Sequence, residues 1–157
     1  LLSLGDQKTY SVQECLENTD LQSHADVKVY YMNGNAQSVR IYSMENADSK
    51  NGEYSYSGQN INNFGVINAT RFKLLTDVDF ESATAADIAA IDAGTIQSSN
   101  IKGKEELIGA VIAFKTGAKS SAGSGKVGLM KLVAIGEKIG TNANARVFTF
   151  AVKLPKE

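Results

Sequence analysis

A chain of 157 residues is long enough for one domain that removes roughly 70% of its unfolded surface from water, so it needs no disulfide or metal to fold. With 43% hydrophobic and 21% charged residues, its composition is that of a globular domain, not of a disordered or membrane-spanning chain. The 16 basic residues are balanced by 17 acidic ones, and only Arg40, Arg71 and Arg146 are arginine. That balance argues against a nucleic-acid partner, whose phosphates reward a basic surface.

Cys15 is the only cysteine, so no intrachain disulfide can form and the redox compartment cannot be read from cysteine pairing. It reads as a small buried hydrophobe, and a catalytic pairing with the only histidine, His24, is the weaker alternative. One histidine and one cysteine come close to excluding the usual zinc sites, and no cofactor is expected. The chain begins at Leu1 without a methionine. Leu1-Leu2-Ser3-Leu4 is too short for a signal core or a spanning helix, but it fits what remains after a removed export segment. No later apolar run reaches the length of a membrane span, so any attachment would come from a lipid anchor upstream.

Residues 8–16 alternate loosely through Tyr10, Val12 and Leu16, which predicts a half-buried strand. A second strand follows over 25–32, with Val27, Val29 and Tyr31 on one face and Asp26, Lys28 and Tyr30 on the other. Asn33-Gly34 supplies a type I′ hairpin signal, since both central residues of that turn need positive φ. The return strand covers 39–44. Residues 45–63 turn polar and predict a long exposed loop, with room for an edge hairpin near 53–57. Tyr54, Tyr56 and Phe64 are its bulky groups and the candidate ligand-binding residues, because aromatic rings on a polar loop can stack on a sugar. The plainer alternative is that they tack the loop onto the sheet.

Strand character returns over 65–75, then the period changes. Val78, Phe80, Ile88 and Ile91 fall at helical spacings, Thr76 and Thr84 are N-cap candidates, and Gly94 stands where a helix would stop. Thr84 with Asp87 forms a weak capping box, so a first turn is predicted at 77–81 and a helix at 85–93. Asp77, Asp79 and Asp87 sit near helix starts, where negative charge is favoured anyway. A calcium loop of the EF-hand type fails for want of its central glycine and closing glutamate. Residues 95–106 form a polar connection.

The stretch 107–154 reads as three strands joined by glycine-rich turns. If Thr116 faces Lys126, then Phe114 faces Gly128, Ile112 faces Met130, Ala110 faces Leu132 and Ile108 faces Ala134. Both faces of this pair are apolar, apart from Lys131, which predicts a central position covered on both sides. Pairing the last strand with Leu132 opposite Phe148 and Met130 opposite Phe150 extends the same face. Gly128 leaves room for the ring of Phe114 or Phe150 to lie across it, and Pro155 stops the ladder.

Chemistry-bearing motifs are weak. The loop 117–125 ends in Gly125-Lys126 but lacks a Walker A pattern, because Ser120 and Val127 stand where that loop needs a glycine and a serine or threonine. It also leads into a strand where the phosphate loop needs a helix. His24-Ala25-Asp26 would place acid and imidazole on one face of a strand, with no nucleophile specified nearby. Asn68-Ala69-Thr70 matches the N-glycosylation sequon, a pattern frequent by chance.

Three segments together carry a resemblance: Val111-Ile112-Ala113-Phe114-Lys115-Thr116, Gly125-Lys126-Val127-Gly128-Leu129-Met130-Lys131-Leu132, and Phe148-Thr149-Phe150-Ala151-Val152-Lys153. With Thr70-Arg71-Phe72-Lys73 and the short helix before them, they resemble the ending of small secreted or lipid-anchored Bacteroidetes domains of unknown function. Those domains usually have a plain Asp-Gly or Asn-Gly turn before the position of Gly125, whereas this chain has a longer Ser/Ala/Gly loop. The resemblance implies an extracytoplasmic location and carries over no site residue.

The expected fold is a single mainly β domain over 1–157, an antiparallel β-sandwich or partly open barrel with one short α-helix at about 85–93. The expected function is a non-catalytic extracytoplasmic binding or scaffold domain of the bacterial cell envelope, with a glycan or envelope protein as partner. Two alternatives stand beside it. One is a glycan-binding module using Tyr54, Tyr56 and Phe64, against which the absence of tryptophan counts. The other is a carboxylate-based hydrolase, for which the acidic residues offer no singled-out pair. The functional surface is expected on the 45–63 loop or the 117–125 tip.

Overall fold

The computed structural model describes residues 1–33, 38–46, 54–141 and 146–155. In chain order the elements are β1 (Leu2–Ser3), β2 (Lys8–Thr9), α1 (Val12–Glu17), β3 (Val27–Met32), β4 (Ser38–Ser43), β5 (Ser55–Tyr56) and β6 (Gln59–Asn60). There follow β7 (Arg71–Leu75), α2 (Ala85–Ala89), β8 (Asn100–Gly103), β9 (Val111–Lys115), β10 (Val127–Lys138) and β11 (Arg146–Lys153). One sheet runs β2-β1-β3-β4-β8, the other β11-β10-β9-β7, and β5-β6 is a separate hairpin. The ladders between these strands are antiparallel.

The fold is mainly β and sandwich-like. Val27, Tyr31, Val39 and Ile41 of the first sheet meet Phe72, Ile112, Phe114, Met130 and Leu132 of the second in the central core. Along one side the sheets are zipped together: Phe72 and Ser98 exchange two backbone hydrogen bonds of 2.8 and 3.1 Å. Two residues later Asn100 pairs with Tyr42 of the first sheet. At the opposite side β2 and β11 are both edge strands, so the sandwich is not closed into a barrel.

The outer faces are apolar too. On the first sheet Tyr30, Tyr42 and Met44 are covered by α1 and the β5-β6 region through Val12, Cys15, Tyr54, Ile61 and Phe64. Lys28 also sits on this face and is fully buried; its ammonium donates to the Asn46 carbonyl at 2.7 Å and lies 5.8 and 5.9 Å from the Tyr42 and Tyr54 rings. On the second sheet Val111, Ala113 and Leu129 are covered by Phe80, Ile88 and Ile96 around α2. Lys131, the exception on this face, extends over the Phe80 ring at 5.0 Å and pairs with Glu81. Lys153 on the neighbouring strand donates to the carbonyls of Glu81 and Ala83 at 2.9 and 3.0 Å. The two lysines thus hold the 80–83 turn onto the sheet by their charged ends while their stems cover apolar surface.

The β9-β10 register is the predicted one from Lys115–Val127 to Val111–Lys131. The Phe114 ring lies across Gly128 so closely that a Cβ there would stand 2.3 Å from Phe114 Cζ and 2.7 Å from the Lys153 oxygen. The expected pairs of Ala110 and Ile108 do not form. Leu107 belongs to a 3₁₀ turn and Gly109 takes φ 84°, with its amide on the Leu132 carbonyl at 2.8 Å. Leu132 faces Phe150, not Phe148, and Met130 faces Val152, not Phe150. This shift of two residues keeps each side chain on its predicted face, so periodicity alone could not detect it. Irregularities between Leu132 and Ala134 and between Ile135 and Lys138 separate this register from the far end of the ladder.

Other departures have local causes. Residues 8–16 are not one strand, because Ser11 caps α1. Its hydroxyl accepts from the Glu14 amide at 3.1 Å, and Glu14 accepts from the Ser11 amide at 2.7 Å. The resulting helix turns Val12 and Cys15 onto one buried face. The polar connection 95–106 contains β8, an edge strand that needs little apolar content. Strand β7 begins at Arg71, not at 65. The capping box of Thr84 and Asp87 is present, but α2 ends at Ala89, and a 3₁₀ turn capped by Asp92 occupies Ala93–Thr95. Met32 pairs with Ser38, while Gly34 of the expected Asn33-Gly34 turn lies outside the described residues, as does the start of the 53–57 hairpin.

Replacing Gly128 by valine is expected to cost about 3 kcal/mol or more, since both the ring and a backbone oxygen block the side chain. Urea unfolding measures the loss. Adding Phe114→Leu to that variant should restore part of it, and an additive loss would show that the ring is not the obstacle.

Candidate functional site

The polar side chains that converge on a cleft come from three separate stretches. The first is the tight turn between β1 and β2, where Ser3 pairs with Lys8 and Gln7 adopts a left-handed φ of 55°. The Asp6 amide donates to Ser3 Oγ at 3.1 Å, which fixes the turn and presents the Asp6 carboxylate. The second is the 3₁₀ segment Thr19–His24, started by the Asn18 side chain accepting from the Asp20 amide and ending at His24. His24 Nδ1 lies 2.6 Å from Asp6 Oδ2, and the Tyr10 hydroxyl donates to the same oxygen at 2.7 Å. The Tyr10 ring meets the imidazole edge-on at 6.0 Å.

The Tyr10 hydroxyl, more than the neighbouring imidazole, holds the Asp6 carboxyl below its ordinary pKa. An ionised carboxylate only accepts hydrogen bonds, so the proton between the two belongs to Nδ1. A neutral His24 therefore presents the lone pair of Nε2.

The third stretch is the loop after β9, which packs as a wall against the N-terminal turn. Thr116 Oγ1 accepts from the Lys126 amide at 2.8 Å and donates to the Gly123 carbonyl at 2.6 Å. Gly123 and Gly125 take φ of 96° and 68°, which close the loop on itself. The Ser121 amide donates to the Ser23 carbonyl at 2.9 Å, and a Cβ on Gly5 would stand 3.0 Å from that of Ala122. Close packing against the N-terminal turn is thus what Gly5 allows.

Between these walls lies a cleft of about 380 Å³, lined by Asp6, Gln7, His24, Ser121 and Lys126, with Leu154 and Pro155 as its apolar side. Beneath it Asp26 is completely buried and accepts from the Leu4 amide at 3.0 Å. Burial raises its carboxyl from 3.8 to about 6, against the lowering effect of hydrogen bonds from Ser120 and Leu4. Asp26 is therefore not the partner of His24. The sequence neighbours point apart, and the acid that holds the imidazole is Asp6, 18 positions away.

Of the residues singled out from sequence, Tyr54 and Phe64 are buried at 5% and 6% exposure, while Tyr56 is 40% exposed. Tyr54 meets Tyr30 edge-on at 6.2 Å, inside the outer core of the first sheet. The three aromatics do not form one exposed platform. Cys15 is fully buried, with its thiol toward the Leu21 carbonyl at 3.9 Å and its pKa raised by burial, and it makes no pair with His24. Asn68 is also buried, its amide donating to the Ser23 and Ala25 carbonyls at 2.9 and 3.0 Å, so the sequon side chain serves as a structural brace. The carboxylates of Asp79, Asp87 and Asp92 accept from the backbone amides of Glu81, Thr84 and Gly94 as caps. Among the described residues no group of histidine, cysteine and acidic side chains could hold a metal ion, and no helix is long and apolar enough to cross a membrane.

Sequence reasoning did not find Asp6, Gln7, Ser121 or Lys126 as a group. Gly5-Asp6-Gln7 carries a turn signal and 117–125 a loop signal, but nothing local says that the two loops meet.

Asp26 generates a pH prediction. Its folded pKa lies above the unfolded value, so the folded chain holds a proton that the unfolded chain releases. The associated stability is complete below about 3.8 and lost as pH rises through about 6. Asp26→Asn should match the parent near pH 3.5 and exceed its stability near pH 7.5 by about 3 kcal/mol, at about 1.4 kcal/mol per pKa unit. Urea unfolding at the two pH values checks this.

Comparison of the chain with protein-family models, with curated proteins and with solved structures finds no match in any of the three.

Proposed function

We propose that this chain is a non-catalytic binding domain of the bacterial cell envelope, secreted or lipid-anchored, whose cleft takes a small hydroxyl-rich acid such as a uronic acid. The observation that carries the ligand class is the Asp6–His24 pair at 2.6 Å, which lines one cleft together with Lys126. Asp6 and the free His24 nitrogen accept hydrogen bonds, as sugar hydroxyls require. The Lys126 ammonium complements a carboxylate, and Ser121 and Gln7 add polar groups. Leu154 and Pro155 offer an apolar wall for the C–H face of a sugar ring. The left-handed Gln7 adds a locally unfavourable backbone at the same spot, a feature that clusters at ligand sites. The envelope location rests on the strand pattern of 111–116, 125–132 and 148–153.

This places a glycan partner in the cleft and not on Tyr54 and Phe64, whose rings are already buried by the protein itself. A second reading, hydrolysis, is favoured by one feature. Asp6 holds Nδ1 so that Nε2 can act as a base, and Ser121 lines the same cleft. Turnover of p-nitrophenyl glucuronide that disappears in His24→Ala would establish it.

Calorimetric titration with D-glucuronate and D-galacturonate tests the binding proposal. At least one should bind, with a loss of about tenfold or more in His24→Ala and in Lys126→Ala, on the order of 1.4 kcal/mol each. Absence of heat with both acids would overturn the ligand class. Recovery of the native protein from the cytoplasmic fraction of its own cells would overturn the envelope location.

A further inference from the structure

We infer that the ligand of the cleft is an amphiphile, an acidic sugar head carrying an alkyl chain, as in an acidic glycolipid. The inference rests on the reading of the cleft as a site for a hydroxyl-rich acid. A second hollow, of about 310 Å³, adjoins the cleft and shares Lys126, Leu154 and Pro155 with it as a common wall. Its remaining lining is aliphatic: Ile88, Ile91 and Val127, with Ala85 and Ala89 of α2 and Ala93. Among the described residues the only charged one lining it is Lys126, which it shares with the polar cleft.

The lining therefore changes from polar in the cleft to aliphatic in the second hollow, with Gln7 and Lys153 entering again in a third, open hollow beside Ala85 and Ile88. On one side of Lys126 stand a carboxylate, an imidazole and a hydroxyl; on the other stand aliphatic side chains. A ligand that is polar throughout would leave the second hollow facing water, and one that is apolar throughout would cover the Asp6 carboxylate and the His24 imidazole without replacing the hydrogen bonds that water gives their remaining positions. An acid group at Lys126, with hydroxyls toward Asp6 and His24 and an alkyl chain along α2, satisfies both halves. The hollow is at the small end of the roughly 300–1,000 Å³ typical of ligand pockets, which suits a single chain. Ile88 is 3% exposed and anchored in the core of the second sheet, so the floor of the hollow is preformed.

Calorimetry with D-glucuronate, methyl glucuronide, octyl glucuronide and octyl glucoside, each below its micelle-forming concentration, separates the possibilities. Octyl glucuronide should bind at least about tenfold more tightly than methyl glucuronide, because each methylene taken from water contributes about fourfold. In Ala89→Glu, a change at an exposed helix position, the octyl and methyl compounds should bind alike. Equal affinities in the parent protein, with both compounds bound, would overturn the alkyl arm and leave the acid cleft standing. Octyl glucoside binding as tightly as octyl glucuronide would overturn the amphiphile, since the acid would then contribute nothing. Failure of every acid to bind would remove the reading on which the inference rests.

Discussion

Each of the two main sheets presents apolar side chains on both faces, and everything else in the molecule answers that constraint. A sheet with one wet face needs only one partner layer, whereas these need three layers of cover. The central core joins the sheets through Phe114, Ile112 and Met130. Helix α1 and the β5-β6 region close the outer side of the first sheet, and α2 with the turn held by Lys131 and Lys153 closes the outer side of the second. Short helices and irregular segments do this work because they are covers, fastened by caps and hydrogen bonds, and not independent elements of structure.

The cleft is a by-product of that covering. The N-terminal turn, the end of the Thr19–His24 segment and the loop after β9 all arrive at the same end of the sandwich, and backbone contacts such as Ser121 to Ser23 lock them together. Asp26 lies beneath this junction with its charge almost out of reach of water. A buried carboxyl with a raised pKa weakens the fold at neutral pH, so its presence next to the cleft is a concession of stability close to a place where polar side chains converge. Lys28, two residues on in β3, is also buried but has the Asn46 carbonyl and two tyrosine rings as company.

The sequence by itself determined the class of fold, the strands β3, β4, β9, β10 and β11, the capping box at Thr84, and the need for a ring, of Phe114 or Phe150, over Gly128. These follow from alternation, local hydrogen bonding and the missing side chain of one glycine, all of which act within a few residues or across one hairpin. The Ser11–Glu14 box has the same spacing as the one at Thr84, but the loose alternation of Tyr10, Val12 and Leu16 around it reads as a strand. Only the tertiary structure decided the two-residue offset of β11, because a shift of two leaves every face unchanged. It alone also decided that Tyr54 and Phe64 turn inward and that His24 takes Asp6 and not Asp26 as its partner. Those outcomes depend on which loops meet in space, a long-range property that neither composition nor periodicity records. The stretch 107–154 could therefore be read as the core of the fold from its residues, while the cleft beside it exists only once the ends of the chain are folded against its loop.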